Sequence, residues 1–127
     1  MAVFDLDGTL LEHGALTGEA VRMLRALRKN GVRVVIATGR HRGTVPPRLH
    51  SPRLVDFLIC SNGAAVVPTA GAPLREATLS PQELKALMAL GQRFDCRYAV
   101  IYTHTCRVQD GALHVPVARV RKRAHPH

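Results

Sequence analysis

The chain has 127 residues, 46% of them hydrophobic, and eighteen basic against nine acidic side chains give it a net charge of +9. That length admits one modest domain, the composition excludes an intrinsically disordered chain, and no uncharged apolar run reaches the length of a membrane span. The positive charge raises nucleic acid as a partner, but residues 1–63 hold nine basic and five acidic side chains and residues 64–127 nine and four, so the excess is spread along the chain.

Met1 to Phe4 is a short apolar run that leads into Asp5-Leu6-Asp7-Gly8-Thr9-Leu10-Leu11. Ligands of open α/β sheets gather beyond the carboxyl ends of the strands, and Gly8 permits a turn there tight enough to aim Asp5 and Asp7 at one point. Two carboxylates beside an apolar strand are costly unless solvated or ligated. One division of labour for such a pair is a nucleophile and a general acid/base with a cation between them. No basic segment precedes this run, and Asp5 falls where a signal peptide would be apolar, so the expectation is a cytoplasmic protein.

Thr17 is a good N-cap, Gly18 to Asn30 carry the helical period, and Gly31 supplies a left-handed stop. Arg22, Arg25 and Lys29 lie opposite Val21, Leu24 and Leu27, the pattern of a helix with one solvated face. Val32 to Ala37 is near-continuously apolar, as expected of a parallel strand buried on both faces, and it ends in Thr38-Gly39-Arg40. Gly43, Pro46, Pro47 and Pro52 predict a loop with at most a short helix over 41–53, before a third strand, Asp56 to Cys60, and the turn Ser61-Asn62-Gly63-Ala64.

Beyond it, 64–67 and 73–77 flank Pro68-Thr69-Ala70-Gly71-Ala72 as a hairpin, and Ser80-Pro81-Gln82-Glu83 is a capping box opening a helix to about Phe94. Tyr98 to Thr103 reads as a strand, Asp110-Gly111 as a hairpin turn, and 112–120 as an edge strand restricted by Pro116. Arg119, Arg121, Lys122 and Arg123 form the one dense basic cluster, read as a solvated tail, and the seven histidines follow no ligand spacing. Cys60, Cys96 and Cys106 show no Cys-x-x-Cys spacing and read as reduced thiols.

Asp5-Leu6-Asp7-Gly8-Thr9 resembles the first motif of the haloacid dehalogenase (HAD) superfamily. Val34 to Arg40 resembles its second motif, a buried strand ending in a phosphate-binding Thr, and Ile59 to Ala64 resembles the turn into the cap of the Cof-like subgroup, the sugar-phosphate type of HAD phosphatase. The likeness runs over about residues 1–105. It implies an α/β fold, a Rossmann-like core of which three parallel strands are present, followed by the start of an α+β cap. Residues 1–63 would be the N-terminal part of the core, 64–111 a partial cap that covers the site and selects the substrate, and 112–127 a weakly structured basic tail.

The resemblance also implies roles. Asp5 would attack phosphorus and form an aspartyl-phosphate, and Asp7 would protonate the leaving alcohol and then deprotonate water. A Mg²⁺ ion would bind the Asp5 carboxylate and the Asp7 backbone carbonyl. Thr38 and the N–H groups near Gly39 would hold the phosphoryl oxygens, with Asn62 and Gly63 lining the same end. Beside these roles stand plainer readings: Asp7-Gly8 and Asn62-Gly63 are common turns, Thr38-Gly39 is an ordinary strand end, and Arg40 either touches substrate or makes an exposed ion pair.

The family completes its site with a Lys and a further acidic pair, both after the cap. Lys29, Lys85 and Lys122 are the lysines here, and Asp95 and Asp110 the aspartates after Asp56; none matches those motifs. The expectation is therefore a Mg²⁺-dependent phosphomonoesterase with an incomplete catalytic set, from a truncated or frame-shifted gene, acting on a small phosphorylated substrate such as a sugar phosphate. Its first strand would be an open edge inviting self-association. Two other readings compete: a non-catalytic phosphate or Mg²⁺ binding module working with a partner chain, and, ranked last, a basic nucleic-acid-associated protein using residues 119–127.

Overall fold

The computed structural model describes residues 1–96, 98–101 and 106–108, the last three as backbone alone. The expectations for Asp110-Gly111, for 112–120 and for the basic tail lie outside the described residues. In chain order the elements are β1 (Ala2–Asp5), β2 (Leu11–Glu12), β3 (Ala15–Leu16), α1 (Gly18–Lys29), β4 (Val34–Ala37), β5 (Phe57–Cys60), β6 (Ala65–Pro68), β7 (Arg75–Glu76), α2 (Pro81–Arg93), β8 (Ala99–Ile101) and β9 (Cys106–Val108). Two 3₁₀ turns, Arg42–Thr44 and Pro47–His50, occupy the proline-rich segment between β4 and β5.

A five-stranded sheet runs in the order β1-β4-β5-β6-β7, with β1, β4 and β5 parallel and β6 and β7 antiparallel. The 64–67 and 73–77 hairpin forms, and because β6 pairs with β5 its two strands lengthen the sheet of the core. A second hairpin, β2 to β3, turns on His13 and Gly14, both with positive φ. The sequence marks this hairpin only weakly, because His-Gly is a weaker turn signal than Asn-Gly.

Helix α1 starts where Thr17 Oγ1 accepts from the Ala20 N–H, 3.1 Å, and stops where Gly31 takes φ 76°. Its Ala20, Val21 and Leu24 are buried against Val34 and Ile36 of β4, Leu58 and Cys60 of β5, and Val45, Leu49, Leu54 and Val55 of the proline-rich segment. One sheet face therefore carries the core. Val34, Val35 and Ile36 are all buried, as a central parallel strand requires, but on the opposite face Val3 is exposed and Phe57 and Ile59 are half-buried. Burial pushes the Cys60 thiol up and leaves it a small core hydrophobe, while Cys96 is exposed and free.

At the start of the parallel strands Arg28 fastens α1 to the sheet. Its Nη1 donates to both carboxylate oxygens of Asp56 and its Nη2 to the Pro52 carbonyl, and Asp56 Oδ2 also accepts from the Val34 N–H. Helix α2 has the reciprocal capping box: Ser80 Oγ accepts from Glu83 N–H, and Glu83 accepts from Ser80 N–H.

Leu24→Ala should cost about 2–5 kcal/mol by urea denaturation, because a fully buried leucine leaves a cavity under β4. Asp56→Ala should cost about 2 kcal/mol in the same assay, since it strands the Val34 N–H and the Arg28 guanidinium together. A loss below half a kilocalorie in either variant would mean that the contact is not maintained in solution.

Candidate active site

Parallel pairing decides which residues meet. Asp5 of β1 stands level with Ala37 of β4, and Ala37 with Ile59 of β5, so all three strands end on one line. The chain turns away from β1 at once: the Leu6 carbonyl accepts from the N–H groups of Thr9, Leu10 and Leu11, Gly8 takes φ 76°, and Leu6 and Leu10 plug the core beneath. Asp5 and Asp7 are left exposed on either side of buried Leu6. This is why two carboxylates survive beside an apolar strand: both remain open to solvent.

The end of β4 supplies Thr38, which is buried, and Gly39. The Thr38 N–H donates to the Ile59 carbonyl at 2.9 Å, and its Oγ1 accepts from the Arg40 N–H at 3.1 Å. Beyond β5, Ser61 and Asn62 both adopt left-handed backbone, φ 52° and 55°, a costly conformation for two consecutive residues with side chains. It is stabilised by cross-strand bonds, Ser61 N–H to the Arg40 carbonyl and Asn62 N–H to the Thr38 carbonyl. The Asn62 side chain lies over Gly39, where a Cβ would meet its Oδ1 at 2.9 Å. Glycine at 39 thus has a steric reason, close approach of a side chain. Asp5, Asp7, Thr38, Gly39 and Asn62, far apart in sequence, share one end of the sheet.

Arg40, which the sequence left between two readings, joins them. Its Nε and Nη2 donate to the two carboxylate oxygens of Asp7, and its Nη1 donates to the Thr44 carbonyl at 3.0 Å. The hydrogen bond from Arg40 holds the Asp7 carboxyl below the usual aspartate range against the opposing effect of burial, with the Arg40 charge adding to it, and Asp7 raises Arg40 in return. The signal for Arg40 was its place directly after Thr38-Gly39; its partner was invisible because Asp7 lies thirty-three residues away.

Hard carboxylate oxygens suit Mg²⁺, which commonly binds through one or two carboxylates with waters and substrate phosphate. Asp5 offers a carboxylate with no hydrogen-bond or ion-pair partner among the described residues, whereas that of Asp7 is engaged by Arg40, leaving the Asp7 backbone carbonyl. Among the described residues no three His, Cys, Asp or Glu side chains gather into a metal cluster. The donors fit a loosely held, water-rich divalent cation and do not form a closed cage.

The described residues thus form a Rossmann-like α/β sheet with two acids, a hydroxyl and a guanidinium at its carboxyl end. Comparison with known proteins makes this specific: the family model described as haloacid dehalogenase-like hydrolase matches residues 2–122, and the chain belongs to that family. It is 38% identical over 89 residues to the HMP-PP phosphatase of Cronobacter sakazakii, an alignment spanning 69% of this chain and 33% of that protein. Among solved structures it resembles the HAD phosphatase BT1666 of Bacteroides thetaiotaomicron, with TM-score 0.65, 26% identity and coverage of 84% of this chain and 40% of that one. The HAD subclass IIB sugar phosphatase BT4131 shares the fold, with TM-score 0.67 at 24% identity over 84% of this chain and 42% of that one. The chain thus spans about a third of the length of the curated relatives it matches.

Because Arg40 lowers the Asp7 pKa, its contribution to stability is complete above the ordinary aspartate value of about 3.9 and is lost as pH falls through the lowered value. Arg40→Gln should therefore move the Asp7 carboxyl titration, followed by ¹³C NMR, back up toward that ordinary value. An unchanged Asp7 midpoint would show that the pair is not formed in solution.

Proposed function

We propose that the chain is the nucleophile-bearing part of a Mg²⁺-dependent phosphomonoesterase that works through an aspartyl-phosphate. The observation that carries this reading is the line of strand ends that sets exposed Asp5 beside Thr38 and Asp7. Asp5 is the nucleophile, its carboxylate free of protein partners among the described residues. Thr38 and the backbone N–H groups that follow it bind the phosphoryl oxygens, with Gly39 and Asn62 shaping the wall. Asp7 exchanges the proton: it protonates the departing alkoxide and then accepts a proton from water, and Arg40 favours the second, deprotonated half of that cycle. Mg²⁺, when bound by the Asp5 carboxylate and the Asp7 backbone carbonyl, supplies charge neutralisation that lets a phosphate dianion approach two acids.

Small phosphorylated metabolites are the substrate class, by analogy with relatives named for HMP-PP and sugar phosphates. The residues present form an incomplete set. Lys29 ends α1, which leads to the start of β4, the opposite end of the sheet, and Lys85 lies on α2; neither matches the lysine motif with which the family completes its site. A charge at 4 Å is worth about 4 kcal/mol at an effective dielectric of 20, on the order of a thousandfold in rate. Turnover by these 127 residues is therefore weak.

One observation favours a second reading, a phosphate or Mg²⁺ binding module that works with a partner chain. β1 has a neighbour on one side alone among the described residues. The Ala2 N–H donates to the Arg33 carbonyl across β4, which by alternation leaves the Val3 and Asp5 backbone groups facing the open edge. Such an edge invites another strand, from a partner or a second copy.

Mg²⁺ with fluoroberyllate, a mimic of the aspartyl-phosphate, should raise the melting temperature of the chain by several degrees, and Asp5→Asn should abolish the rise together with slow hydrolysis of p-nitrophenyl phosphate. No shift in the unaltered chain would sink the phosphoryl-transfer reading. Hydrolysis at the pace of an intact enzyme would sink the claim of an incomplete set.

A further inference from the structure

We propose that Arg40 is an anion-exchange residue, whose guanidinium leaves the Asp7 carboxylate for a phosphate oxygen when orthophosphate or a phosphate ester settles beside Thr38. The inference rests on the phosphate-binding reading of the site and adds to it a recognition residue and a competition.

The backbone of Arg40 is fixed from two sides. Its N–H donates to Thr38 Oγ1, and its carbonyl accepts from the Ser61 N–H. The guanidinium is anchored at one nitrogen by the Thr44 carbonyl, and the remaining Nε and Nη2 form the fork that holds Asp7. A guanidinium fork matches a phosphate as well as a carboxylate, two parallel N–H donors to two oxygens. The pair is open to exchange because the Asp7 side chain is 55% exposed and that of Arg40 30%, and exposed pairs are weakly held.

The chemistry supplies a reason for exchange. A phosphate dianion placed near Asp5 and Asp7 meets two negative charges, and Lys29, at the end of α1 that leads into the start of β4, lies toward the opposite end of the sheet. Turning the fork toward phosphate gives the dianion a cation and releases Asp7 from its partner in the same movement. Nη1 on the Thr44 carbonyl serves as the pivot.

The test is a double-mutant cycle read by calorimetric titration of inorganic phosphate at fixed Mg²⁺, on the full chain, Arg40→Gln, Asp7→Asn and the double variant. Asp7→Asn should tighten phosphate binding about tenfold and Arg40→Gln should weaken it by a similar factor, with the gain from Asp7→Asn vanishing in the Arg40→Gln background. Arg40→Lys, which keeps the charge if Arg40→Gln fails to fold, should restore part of the affinity, and the Arg40 Nε–H resonance should move on phosphate addition to the unaltered chain. An equal gain from Asp7→Asn in both backgrounds would mean simple relief of repulsion and would overturn the exchange while leaving the phosphate site standing. Phosphate binding by none of the four proteins would overturn the exchange and the phosphatase reading together.

Discussion

The site depends on the parallel register of three short strands. Asp5, Ala37 and Ile59 lie level, and each functional group sits on or within three residues of that line: Asp5 itself, Asp7 past a single turn, Thr38 next to Ala37, and Asn62 beyond Ile59. A slip of one residue between β1 and β4 would send Phe4 to the solvent and Val3 to the core, since successive side chains face opposite sides. The burial of Val34, Ile36 and Leu58 on the α1 face therefore does two things at once. It stabilises the sheet, and it fixes the height at which the carboxylates and the threonine meet.

Two arginine–carboxylate pairs mark the two ends of these strands, and their surroundings give them different uses. Arg28 and Asp56, with side chains 29% and 15% exposed, lock α1, the start of β4 and the segment before β5 together. Several bonds converge there, so removal of one partner leaves others unpaired. Arg40 and Asp7 sit at the carboxyl end, far more open on the Asp7 side. Solvent can replace either partner, which makes that pair suited to being broken by an arriving anion. The strained Ser61-Asn62 backbone lies beside it and is stabilised by bonds to the same Thr38–Arg40 segment, as happens where a fold holds a loop in place for binding.

Burial is uneven. α1 and the proline-rich segment cover one face of the sheet, while Val3 on the other is exposed and the far edge of β1 is open among the described residues. α2 buries none of its residues, and Leu87, Leu90 and Phe94 are at least half exposed. These features accompany the match of the chain to about a third of the length of its curated relatives.

Much was legible in the sequence because it is encoded locally. Thr17 and Gly31 bound a helix through cap chemistry that needs only neighbours a few residues away, Ser80 and Glu83 do the same for α2, and an unbroken apolar run marks β4 as a central strand. The acids at and just past the end of β1 and the threonine after β4 were visible for the same reason, as groups at the ends of apolar runs. Tertiary structure decided what depends on distant partners. It joined β6 and β7 to the sheet of the core, folded β2 onto β3 through a turn with a weak signature, laid Asn62 over Gly39, and gave Arg40 to Asp7. A side chain carries its own charge and reach, but its partner is set by sheet register, which arises only when separate strands pair.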